Sequence, residues 1–124
     1  MNTERRRFTR IPVSAKALIE QGTQKHTAKV IDISLNGAHL QTAAELNKEE
    51  PIKLQIIFDE LTPPINMVAA VVYSDGEDYG IECQEIDIDS MLQLRSTLTL
   101  YNNDPETIHR ESQALWEKRQ KKAD

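Results

Sequence analysis

Residues 29–42 read KVIDISLNGAHLQT. The β-branched Val30, Ile31 and Ile33 run into Ser34-Leu35-Asn36-Gly37, after which Ala38 and Leu40 resume an extended pattern. This is the signature of a strand, a turn and a second strand. The same grammar continues in both directions. Residues 15–21 form an upstream strand closed by Gly22, and residues 25–33 form the next. Downstream, Ile52, Leu54, Ile56 and Phe58 alternate with Lys53, Gln55 and Ile57, a strand with one mostly wet face. Thr62-Pro63-Pro64 breaks the chain before the apolar residues 65–73. Asp75-Gly76 then reads as a hairpin connection into residues 79–85. Six short strands with little helix between them predict an antiparallel barrel or sandwich.

The period changes near residue 89. Asp89 or Ser90 is placed to cap a helix whose stripe is Met91, Leu94, Leu98 and Tyr101. Asp104-Pro105 reads as the N-cap and first turn of a second helix, running to about Lys121, with Ile108, Leu115 and Trp116 on its buried side. The expected organisation is an arm over residues 1–12, a β-barrel over 13–88 and C-terminal helices over 89–124.

The chain has 124 residues, the length of one domain, and 39% hydrophobic residues, enough for a core. No apolar run approaches the ~20 residues of a membrane helix, and the charged first ten residues do not resemble a secretory signal. Cys83 is the single cysteine, which suits a reducing cytoplasm. The net charge of −5 is uneven: residues 1–10 sum to +3 and the remaining 114 to −8. An acidic body repels polyphosphate chains, and few aromatic residues are present for base stacking, so a nucleic-acid-binding barrel with a basic arm is the weaker alternative. A basic arm on an acidic body fits local capture of a small anion.

His26, His39 and His109 have no metal-like spacing among themselves or with Cys83. No nucleophile–base signature or phosphate-cradling glycine loop occurs, so no catalytic centre is expected and no cofactor is called for. Two patterns remain. Arg6-x-x-x-Arg10, extended by Arg5 and Arg7, sits on the arm before the first strand. Asp32-x-Ser34-x-x-Gly37 forms the turn after the second. Arginine is a planar fork that pairs with phosphate oxygens or the guanine O6/N7 edge and stacks on flat rings. Asp32 can accept from guanine N1–H and N2–H₂, and Ser34 can bond a phosphate or base. Gly37 permits a positive φ or a close backbone approach to a ligand.

On these two motifs, and on Tyr79-Gly80-Ile81-Glu82-Cys83 as a closing strand, the chain resembles the PilZ family of cyclic di-GMP receptors. The resemblance covers arm, six strands and helical tail, and is nearest to the small stand-alone members. It implies a six-stranded PilZ-type barrel and a non-enzymatic receptor for cyclic di-GMP. The ligand would be held by Arg5, Arg6, Arg7, Arg10, Asp32, Ser34 and Gly37. Where some members stack a tryptophan on a guanine, Tyr73 stands here, with Val72 the alternative because hairpin length varies. An arginine just before the Arg-x-x-x-Arg pair, here Arg5, implies two ligands per chain. The expected mechanism is ordering of a mobile arm over the ligand, changing one barrel face for a downstream protein; a ligand-free PilZ-like interaction module is the remaining alternative.

Overall fold

A computed structural model describes residues 8–102 and 105–123. Six strands, β1 (Ile11–Gln21), β2 (Gln24–Ser34), β3 (Gly37–Gln41), β4 (Ile52–Ile57), β5 (Ile65–Asp75) and β6 (Asp78–Ile86), precede two helices, α1 (Ile88–Asn102) and α2 (Pro105–Ala123). The strands close into an antiparallel barrel in the order β1-β2-β3-β6-β5-β4, sealed by β1 against β4. Each strand thus pairs with a neighbour on both sides over part of its length, which settles barrel over sandwich.

Side chains alternate as a strand dictates. Ala17, Ile19 and Gln21 of β1, Ile65, Met67, Ala69 and Val71 of β5, and Tyr79, Ile81 and Cys83 of β6 point inward. The hairpin turns carry their glycines in the left-handed region, Gly22 at φ 61° and Gly76 at φ 64°, where other residues are strained. Two bulges matter below. Ile31 is the extra residue of β2 opposite β3, and Val72 the extra residue of β5 opposite β6.

The helices depart from expectation in three places. The cap of α1 is Asp87, not Asp89 or Ser90: its carboxylate accepts the Ser90 backbone N–H at 2.9 Å. That N–H holds the Asp87 carboxyl below its ordinary range, so the cap persists above that range and is lost as pH falls through the lowered value. Ser90 is committed elsewhere, accepting the Asn66 N–H on its hydroxyl at 2.9 Å. Leu94 and Leu98 are buried as expected, but Tyr101 is exposed, because the buried face of α1 turns through Ser90 and Thr97 instead. On α2, Ile108 and Leu115 are buried and Trp116 is exposed. The expected cap Asp104 lies outside the described residues. No helix among the described residues is long and apolar enough to cross a membrane.

Candidate ligand-binding face

The Asp-x-Ser-x-x-Gly turn is built by alternation. Ile33 and Leu35 are fully buried, so Asp32 and Ser34 stand on the outer face. Ser34 pairs with Gly37 and Ile33 with Ala38, which sets Asp32 opposite His39. The pairing carries on across the barrel: His39 faces Gly80 on β6, and Gly80 faces Tyr73 on β5. One outward row therefore runs Asp32, His39, Gly80, Tyr73 over four strands.

Arg10 closes one end of this row. Its guanidinium grips Asp32 as a fork, with Nη2 at 3.1 Å from both carboxylate oxygens and Nε at 3.2 Å from Oδ1. Tyr73 closes the other end. A Cβ added to Gly80 would lie 3.2 Å from Tyr73 Cβ, so the bare glycine is what lets the tyrosine lie across β6. Val72 is also exposed but occupies the bulge, outside the row. The Ser34 hydroxyl accepts the Asn36 N–H at 3.2 Å, a Ser-turn, and still has a proton to donate.

Gly37 is placed differently from expectation. Its φ is not positive, and its close backbone approach is to β6 rather than to a ligand: an added Cβ would sit 2.0 Å from the Ile81 carbonyl oxygen. The turn is docked there by the Cys83 N–H, which donates to the Asn36 carbonyl at 2.8 Å. Gly37 thus supports the face by fitting the turn against the closing strand.

The arm divides. Arg5, Arg6 and Arg7 lie outside the described residues. From Phe8 onward the chain is fastened: Phe8 and Ile11 are buried, and Thr9 donates its N–H (2.8 Å) and hydroxyl (2.5 Å) to the two Glu111 oxygens of α2. Residues 8–12, drawn into the flexible arm on sequence grounds, carry two apolar anchors and a double hydrogen bond over 102 residues of sequence separation. Glu111→Ala strands the Thr9 N–H in a partly buried position. It is expected to cost about 1–2 kcal/mol, read as a drop of several degrees in thermal midpoint and faster amide exchange along α2.

His39 is the member of the row that sequence reading missed. Its Nε2 lies 3.0 Å from Asp78 Oδ1 and its Nδ1 3.8 Å from Asp32 Oδ2. The signal was available, since a two-residue turn at Leu35-Asn36 fixes the Asp32–His39 pairing arithmetically. Among the described residues no group of three or more His, Cys, Asp and Glu could hold a metal. A concavity of 960 Å³, lined by Leu18, Met67, Val68 and Ile86 among others, includes none of the four row residues. The row is an open sheet face.

A closed six-stranded antiparallel barrel followed by two C-terminal helices is a PilZ-type barrel. The chain belongs to the PilZ domain family, whose sequence pattern matches residues 4–100. Among solved structures it is similar to the PilZ domain of YcgR from Escherichia coli, determined with c-di-GMP. That match has a TM-score of 0.65 and 14% identity, and covers 82% of this chain and 94% of that one. It is similar to the Bacillus subtilis inhibitor of motility MotI/DgrA, with a TM-score of 0.65 and 20% identity over 82% of this chain and 53% of that one. The PilZ domain of CeSA from a cellulose-synthesizing bacterium matches at TM-score 0.57 and 13% identity, over 77% and 96%.

Proposed function

We propose that this chain is a non-enzymatic cyclic di-GMP receptor of the cytoplasm that reports to a downstream protein. The observation that carries the reading is the contact between its two motifs. Arg10 of the arm and Asp32 of the turn, 22 residues apart, meet at 3.1 Å on one open face. The structural relatives solved with c-di-GMP lend the ligand class. Asp32 accepts from the N1–H and N2–H₂ edge of a guanine. Arg10, with Arg5, Arg6 and Arg7 of the arm, supplies forks to the phosphates. Ser34 donates its hydroxyl, and Tyr73 offers a ring at the far end of the row for stacking.

Arg10 and Asp32 satisfy each other without ligand, so binding is an exchange: the guanidinium turns to a phosphate and the carboxylate to a base edge. The arm then closes over the ligand and alters the charge and shape of this face. Thr9 is both the neighbour of Arg10 and the partner of Glu111, so α2 is mechanically next to the exchange. The partner-facing surface is proposed to include α2.

Calorimetry tests the reading. Cyclic di-GMP should bind with two molecules per chain at saturation, the ratio implied by Arg5, and GTP or GMP should give little or no heat. Equal affinity for GTP overturns the cyclic-dinucleotide assignment, and a ratio of one removes the role given to Arg5.

A further inference from the structure

The row contains a titratable group with no assigned role. His39 stands on β3 between two carboxylates from different strands, Asp32 on β2 and Asp78 on β6. The Asp78 carboxylate has no proton to give, so the 3.0 Å contact requires His39 Nε2–H as donor. Gln41 donates to the same Asp78 oxygen at 3.4 Å. In the neutral ring this tautomer leaves Nδ1 a bare acceptor 3.8 Å from Asp32 Oδ2. Protonation converts Nδ1 into a donor beside that carboxylate. The ring is only about a quarter exposed, with a side-chain accessibility of 26%, so its direction is fixed by the strand and by Asp78.

In the ligand-free protein Arg10 already neutralises Asp32. The exchange described above removes that guanidinium and brings in a ligand with two phosphate charges. The phosphates arrive paired with the arm's arginines, so the change that counts is at Asp32: losing its guanidinium raises the negative potential at Nδ1 and favours a proton there. The other charged and titratable groups around the ring are Lys29, in the next row on β2, Glu82 on β6, and Asp75 and Tyr73 on β5. Among the described residues, the charged groups within 4 Å of the ring nitrogens are the two carboxylates.

Resting on the receptor reading, we infer that His39 is a positioning residue of the ligand site: anchored by Asp78, it takes over Asp32 when Arg10 leaves, and ligand capture takes up a proton at Nδ1. It need not touch the ligand; it acts by holding the Asp32 carboxylate in its ionised, base-reading orientation. The consequence is a receptor whose affinity follows pH. Capture is stronger at acid pH, where Nδ1 holds its proton, and weakens as pH rises.

The test is the cyclic di-GMP affinity of the whole chain at about pH 5.5 and about pH 8.5, on either side of the imidazole range. A coupling of this kind is expected to be on the order of tenfold, tighter at the acid end. Near neutral pH the binding enthalpy should depend on the ionisation enthalpy of the buffer. His39→Gln keeps a donor for Asp78 but cannot take a proton; it should bind weakly and with a flat profile. His39→Arg, a permanent cation, should be equally flat but near the acid-side affinity of the natural chain, an outcome that a merely structural histidine would not produce. His26→Gln and His109→Gln should keep the natural profile. A flat profile in the natural chain, or an unchanged slope in His39→Gln, overturns the inference while leaving the receptor reading intact. No binding of cyclic di-GMP at either pH overturns both.

Discussion

Asp32→Ala is expected to weaken cyclic di-GMP binding by at least tenfold while the ligand-free protein melts within a few degrees of the natural chain. The two halves of this expectation come from different parts of the environment of Asp32. On the binding side, the carboxylate is the acceptor offered to a guanine edge, and a hydrogen bond to a charged group contributes about 1.5–3 kcal/mol, which is roughly 10- to 150-fold in affinity. On the stability side, Asp32 is partly buried at 18% exposure, but its partner Arg10 has a side chain 59% exposed, which leaves the pair open to solvent. An exposed ion pair, even a forked one, contributes at most about 1 kcal/mol. Among the described residues, the hydrogen bonds to the Asp32 carboxylate come from the exposed Arg10.

Arg10→Ala separates the two functions of that pair. It removes a phosphate donor but also frees Asp32 from its resting partner, so its loss should be smaller than that of a residue with no competing contact. The double variant Arg10→Ala/Asp32→Ala should then lose less than the two single losses added together. Additive losses would mean that the two residues do not exchange partners on binding. Collapse of the ligand-free Asp32→Ala protein would make Asp32 a structural turn residue and remove it from the site.

The barrel was legible because short β-branched or alternating runs are separated by turn residues, and because Gly22 and Gly76 stand where hairpin turns need positive φ. The two motifs were legible by residue type. What stayed hidden was relational. His39 looks idle in the sequence, since its partners Asp32 and Asp78 come from two other strands and no local spacing joins them. The Thr9–Glu111 link spans nearly the whole chain, and nothing in an arginine-rich arm announces that Phe8 is buried. Trp116 and Tyr101 were misplaced for a different reason. A helical stripe predicts which residues share a face, but only the neighbouring barrel decides where the buried sector ends, and both aromatics fall beyond it. The cap of α1 was ambiguous because Asp87, Asp89 and Ser90 are all competent; the Asn66 N–H takes the Ser90 hydroxyl and leaves the cap to Asp87.

Gly37→Ala should damage the fold itself. A Cβ at this position meets backbone on every near side: the Ile81 carbonyl oxygen at 2.0 Å, its carbon at 3.0 Å and Glu82 Cα at 3.2 Å. No rotamer change relieves such a clash, so β3 and β6 must separate at the Gly37–Glu82 pair. Separation also stretches the Cys83 N–H bond to the Asn36 carbonyl that docks the turn. Inserting one methyl into a packed interior costs about 1–3 kcal/mol, and a backbone clash with no soft neighbour belongs at the upper end or beyond. Against a total stability of about 5–15 kcal/mol, that is expected to lower the thermal midpoint by roughly 10 °C. Gly76→Ala is the contrasting case: its Cβ would meet open space, and only the φ of 64° is unfavourable, so the loss should be nearer 1 kcal/mol. Thermal unfolding of the two ligand-free variants decides the matter. If Gly37→Ala melts like the natural chain yet loses cyclic di-GMP, the glycine is needed for the ligand's approach after all. If it melts far below Gly76→Ala, the last position of the Asp-x-Ser-x-x-Gly motif is glycine because β6 passes there, and the motif records a strand contact as much as a binding one.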